Sequence, residues 1–292
     1  EESFAALERG AGAHRGTLSS DSVEELASHE AIRGNFTSDK LGNLAAGYEG
    51  ESPIFVIGMP RTGTTLVERM LSSHSAVTSI GEFTDFPLLI GDLMAQADPA
   101  ALSDAELSLA IDFAELGKRY SAAARQVAGG STRFVDKLPY NFLYCGYILS
   151  ALPNARIVHL TRDPLDTCYA VYKTLFFNAC SCSYQLEELA DYYISYRRQM
   201  AHWHQVFPGR ILDVSYEQLV QEPETQAQRI LEWCELPWEA GVLDFHEQDS
   251  PVMTASAMQV RKPMYTDSIG TAQRAGSGLD PLRERLQREG LL

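Results

Sequence analysis

The stretch Gly58–Thr65, GMPRTGTT, follows the apolar run IFVI at residues 54–57 and has the glycine spacing of a phosphate-binding loop. In the pattern G-x-x-x-x-G-K-[ST] a lysine follows the second glycine, but here Thr64 occupies that place. A helix starting near Thr64 would aim the backbone N–H groups of Gly63, Thr64 and Thr65 at an anion, because the first turn of a helix leaves its donors unpaired and partly positive. Read in isolation, the same stretch is also a tight turn between a strand and a helix.

Outward from this loop, short apolar runs alternate with long helical stretches, the pattern of a parallel sheet with crossover helices. Strands are predicted at 54–58, 132–137, 155–163 and 210–219, each followed by a helix. Further helical stretches at 84–96, 103–127 and 185–206 read as insertions or crossovers. The predicted fold is α/β: a P-loop-like three-layer α/β/α domain over residues 51–292, with a central parallel sheet and helical insertions. Residues 1–50 are polar and alanine-rich and are predicted to form a helical N-terminal extension.

Composition narrows the function classes. Lys plus Arg number 24 against 39 Asp plus Glu, so a formal charge of −15 disfavours nucleic-acid and anionic-membrane partners. The five cysteines (Cys145, Cys168, Cys180, Cys182 and Cys234) lack C-x-x-C pairs, which argues against a disulfide framework or a zinc ribbon and for a reducing, cytoplasmic setting. No metal site is expected; the histidines of HWH, His202 and His204, fall on different faces of a helix. No apolar run is long enough to cross a bilayer.

Within this acidic chain, three predicted strands are each followed by a cation: Arg61, Lys137 and Arg162. A parallel sheet would bring all three to one edge, where ligands of open α/β sheets bind. Individually they have plainer readings. Arg162 can pair with Asp163 or Asp166, and Lys137 can be a surface lysine.

Several ordered motifs resemble the sulfotransferases that use 3′-phosphoadenosine 5′-phosphosulfate (PAPS) and release the bisphosphate PAP. PIFVIGMPRTGTTLVERMLSSH looks like their 5′-phosphosulfate loop, TRDPLDTCYAVY like their 3′-phosphate segment, and VSYEQLVQEPETQAQRILEWCELPW like the region that follows. TASAMQVRKPMYTDSIG is similar to the carboxyl-terminal part of bacterial sulfotransferases and of tyrosylprotein sulfotransferases. The resemblance runs from about residue 52 to about residue 288. It implies that Arg61, Thr62, Gly63, Thr64 and Thr65 hold the 5′-phosphosulfate, that Arg162 holds the 3′-phosphate, and that Tyr216 contacts the nucleotide. It further implies Glu82, twenty-one residues after Arg61, as general base, Lys137 and Ser256 as stabilisers of charge on the phosphosulfate, and added positive charge from Arg261 and Lys262. Two departures stand out. Ala170 replaces a serine that relatives usually place in the 3′-phosphate segment, and Thr271-Ala272 replaces a common Arg-Trp.

The expected reaction is transfer of the sulfuryl group of PAPS to a hydroxyl or amine of a small-molecule or peptide acceptor, without a metal. Such transfer depends on positioning and electrostatics, as phosphoryl transfer does. Two alternatives remain: an ATP- and Mg²⁺-dependent P-loop kinase or NTPase using Asp136 or Asp213, and a catalytically silent anion-binding or interaction module. Homo-oligomerisation stays open.

Overall fold

The structure is a computed structural model that describes residues 2–19, 22–42, 44–96, 108–176, 180–248 and 260–292. Five strands form one sheet: β1 (Ile54–Gly58), β2 (Thr78–Gly81), β3 (Phe134–Asp136), β4 (Arg156–Thr161) and β5 (Ile211–Ser215). The order is β2-β3-β1-β4-β5, and every pairing is parallel.

A central parallel strand is covered on both faces, so it must be apolar throughout. β1 meets that demand, with all five residues buried. Phe55 and Ile57 enter one core, which also takes Phe86, Tyr120, Ile148 and Trp203 from the helices above it. Ile54 and Val56 enter a second core with Val67, Met70, Leu71, Ile230 and Leu231. Two cores on opposite faces of one sheet make three layers, as the alternation of apolar runs and helices predicts.

The sequence reading found four strands, and β2 is the one it missed. Its residues TSIG bury only Ile80, and they sit at the sheet edge, so no apolar run marks them. The predicted run at 210–219 ends earlier than expected. Ser215 accepts from the Gln218 N–H and caps a short helix, Tyr216–Gln221. Likewise Asp163 accepts from the Asp166 N–H and, with Pro164 in the first turn, starts the helix Pro164–Tyr172 directly after β4.

The amino-terminal helices α1 (Glu2–Arg15) and α2 (Ser22–Asn35) pack on this domain. Arg15 pairs with Glu188 at 2.8 Å, His29 Nδ1 lies 3.0 Å from Ser195 Oγ, and Phe36 is fully buried against Tyr147 and Trp203. Among the described residues no helix is long and apolar enough to cross a membrane.

Topology locates the site. From β1 the chain crosses towards β2 on one side, whereas from β4 it continues to β5 on the other. A crevice therefore opens between the carboxyl ends of β1 and β4.

Candidate active site

The loop after β1 fills that crevice. Arg61 has φ +69°, a left-handed conformation uncommon outside glycine and concentrated at functional sites. Gly63, at φ +103°, forms the N-cap of the helix Thr64–Ser72. A Cβ there would stand 2.8 Å from the Tyr216 ring, so both backbone and neighbour require glycine. Thr62 donates its hydroxyl proton to the Met59 carbonyl at 2.7 Å, which fixes the turn from within. Thr64 and Thr65 are buried at the helix start, and Thr65 lines the cleft.

Arg162, one residue beyond β4, ties its strand end to the loop by donating to the Arg61 carbonyl at 3.0 Å and to the Ser268 carbonyl. Its guanidinium carbon lies 5.0 Å from the centre of the Tyr216 ring, a cation–π contact. Arg61 and Lys173 stand near enough to feel this charge. Burial, then Arg162, push the Arg61 pKa down; burial, then Arg162 and Arg274, do the same to Lys173. Lys262 also lines the cleft, whereas Arg261 is exposed and is not among the described lining residues.

Asp166, four residues after Arg162, is already engaged. Asp166 accepts from the Gly270 N–H at 2.6 Å, the Ala272 N–H at 2.7 Å and the Thr271 hydroxyl at 3.2 Å, and its nearest approach to Arg162 is 3.8 Å. Those bonds hold the carboxyl-terminal segment against the cleft, and Thr271 forms part of the wall. Leu66, Val220, Phe245 and Met264 add an apolar surface to the cleft.

On the other side of β1, Lys137 follows β3 and is fully buried. Its ammonium donates to the Glu82 carboxylate and lies 3.8 Å from Glu68 Oε2. Glu82 comes from the end of β2 and keeps a partly exposed side chain, so two residues expected to act together are brought into contact by adjacent strands. Glu68 accepts from Ser79 Oγ at 2.6 Å, and burial pushes its pKa up against the pull of Lys137. An ammonium this deep needs such partners, because an unpaired buried charge costs several kcal/mol.

Asp136 is equally buried but turned away. It accepts from the Tyr120 hydroxyl at 2.7 Å, and burial pushes its carboxyl up to about 8 despite the downward pull of Tyr120 and Lys137. The aspartate that a Mg²⁺-dependent kinase would need is thus enclosed in the core. Asp213, the other candidate for that role, lies within β5 against His159 and His204.

Residues 53–240 match the sequence profile of the sulfotransferase family. The chain belongs to that family. Among its relatives, an uncharacterized protein of Aquifex aeolicus is 37% identical over 86% of this chain and 34% of its own length. The protein-tyrosine sulfotransferase of Drosophila melanogaster is 24% identical over 78% of this chain and 46% of its own. Protein-tyrosine sulfotransferase A of Caenorhabditis elegans is 27% identical over 76% and 62%. The chain therefore spans only about a third to three-fifths of the length of these curated relatives. The fold agrees with that of the sulfotransferase domain from the Synechococcus PCC 7002 olefin synthase, at TM-score 0.57 and 16% identity, covering 82% of this chain and 96% of that one. The sulfotransferase domain from the curacin biosynthetic pathway superposes at TM-score 0.53 and 17% identity, covering 84% and 99%.

In this sulfotransferase-family chain the structure gathers Arg61, Gly63, Thr65, Arg162, Tyr216 and Lys262 around one cleft, with Glu82 and Lys137 paired beside it. Ser256 lies outside the described residues. Two residues were missed: Lys173, which caps the carboxyl end of the helix Pro164–Tyr172, and Glu68, which stands four residues after Thr64, so helical spacing places it on the face of its helix that carries Thr64. For Glu68 that periodicity was the available signal. Ala170 lines the cleft as well, so the departure from the family pattern falls on the cleft wall.

Proposed function

We propose that the chain transfers the sulfuryl group of PAPS to the hydroxyl or amine of an acceptor. One observation carries this reading: in a chain of net charge −15, Arg61, Arg162 and Lys173 crowd one cleft, where Arg162 adds to burial in pushing the pKa of Arg61 and of Lys173 down, while Asp166 accepts from the Gly270 and Ala272 N–H groups. Cations so arranged call for a polyanionic ligand. The N–H groups at Gly63–Thr65 and the Arg61 guanidinium would take the 5′-phosphosulfate, Arg162 and Lys173 the 3′-phosphate, and the apolar wall with Tyr216 the nucleoside.

PAPS supplies an activated sulfuryl group, and the protein supplies charge and position. Glu82 accepts the acceptor's proton as its oxygen or nitrogen bonds to sulfur. Lys137 neutralises the phosphate oxygen from which sulfur departs. Lys137 and Glu82 hold each other in place, and Glu68 would remain beside Lys137 when Glu82 turns to the acceptor. The enclosure of Asp136 argues against the kinase alternative.

The test is incubation of the chain with radiolabelled PAPS and a panel of phenols, tyrosine peptides, alcohols and amines, alongside thermal-shift titrations with PAP and with ATP plus Mg²⁺. Labelled product with at least one acceptor, and stabilisation by PAP that Arg162→Ala removes, are expected. Stabilisation by PAP without transfer to any acceptor would instead identify a silent binding module. Preference for ATP with Mg²⁺ would return the kinase reading.

A further inference from the structure

Away from the cleft, on the sheet face that packs against the long helix Leu186–Val206, three metal-ligating side chains converge. We infer that His159, Asp213 and His204 form a binding site for a divalent transition-metal ion, with zinc the best chemical match. This site is separate from the proposed transfer chemistry and does not depend on it.

Register supplies the first two ligands. His159 and Asp213 lie directly opposite each other in the β4–β5 ladder, so their side chains share a face. His159 Nδ1 is 2.7 Å from Asp213 Oδ1. The third comes from the last turn of the helix, where His204 Nε2 stands 3.1 Å from the same carboxylate. All the ligand atoms lie within 4.8 Å of one another. A tetrahedral zinc with bonds of about 2.0–2.2 Å spaces its ligand atoms by roughly 3–3.5 Å, so only small side-chain movements separate this cluster from a coordination shell.

Two further features match a metal site. The outer nitrogen of His159 is engaged by the Tyr196 hydroxyl, the kind of contact that fixes a ligating imidazole's orientation. His159 is 2% exposed, His204 35% and Asp213 50%, so the floor of the site is fixed while its mouth is open to an entering ion and a water as fourth ligand. Two imidazoles and one carboxylate suit zinc and its neighbours better than Mg²⁺ or Ca²⁺. Arg197 is a cation felt at His159, and it in turn feels the charge of Asp213; it opposes a dication, but its guanidinium is directed at the Tyr193 hydroxyl, 3.4 Å away. The ion would clamp the helix to β5. The HWH spacing rightly separates His202, which contacts the Phe36 carbonyl, from His204. What that spacing could not show is that His204 meets ligands from two strands.

The experiment strips the full chain with a chelator and titrates it with zinc chloride by calorimetry and thermal unfolding. One ion per chain and a raised Tm are expected, with affinity weakened at least about 100-fold in both His204→Ala and Asp213→Asn and unchanged in His202→Ala. Substitution by Co²⁺ separates this site from the five buried thiols: a nitrogen–oxygen set gives ligand-field bands without thiolate charge transfer. Failure to bind zinc, affinity unchanged in both ligand variants, or a thiolate signature would each overturn the assignment and leave the trio as hydrogen bonds joining helix to sheet. Circular dichroism of the variants confirms that a lost site is not lost folding.

Discussion

Arg162 after β4 and Lys137 after β3 flank the same central strand at the same edge of the sheet, yet their surroundings are opposite in charge. Around Arg162 the neighbours are Arg61 and Lys173, and the carboxylate of Asp166 is spent on backbone N–H groups. Around Lys137 the neighbours are Glu82 and Glu68. Neighbouring cations reinforce one another in attracting an anion, whereas carboxylates beside a cation offset its charge. The difference separates binding from chemistry: the first region would hold the donor, and the second would keep a proton acceptor and a charge stabiliser poised against each other.

The strongest way to break this contrast is Lys137→Ala. Transfer is expected to fall roughly 10²- to 10³-fold while PAP affinity stays within about a few-fold. Single-turnover rates beside calorimetric titrations measure both, and equal losses would move Lys137 to the binding side. Glu82→Gln should lower turnover by about 10²-fold with donor binding retained, a split read from kcat and the PAP dissociation constant. Arg162→Ala should do the reverse, weakening PAP roughly 10- to 100-fold, the range for one hydrogen bond to a charged group. Gly63→Ala, forced into a left-handed conformation against the Tyr216 ring, should lose roughly 1–3 kcal/mol of stability in urea unfolding, with weaker PAP binding. A gentler prediction concerns Asp136. Its folded-state pKa is raised from 3.8 to about 8, so its contribution to stability is fully present below the lower value and is lost as pH rises through the upper one. Asp136→Asn should flatten the fall in Tm across that window.

Much of this was legible in the sequence because strand ends are. β1 is a continuous apolar run ending in GMPRTGTT and β4 an apolar run broken by His159 and ending in TRD, and parallel pairing then brings Arg61 and Arg162 together whatever their separation along the chain. β2 was not legible, since an edge strand reading TSIG has one buried residue to announce it. Glu82 was identified through family spacing alone, and the structure shows the physical basis of that spacing: it directly follows the unseen strand. Lys173 was hidden in the apolar stretch VYKTLFF, where composition suggests core. Glu68 was hidden by its own context, an acid among Val67, Met70 and Leu71 on a helix that the P-loop pattern describes only at its first turn.

The clamp of Asp166 on Gly270 and Ala272 has a consequence for how the protein is made. These contacts join residues 104 and 106 positions apart, and the last strand ends at Ser215, well before the later partners. A nascent chain can thus complete its sheet and phosphate loop before the wall of the cleft has left the ribosome. Long-range closures of this kind form late. The complete cleft, with Lys262 and Thr271 in its wall, should then arise as a final, separate stage of biogenesis, after the sheet is already folded.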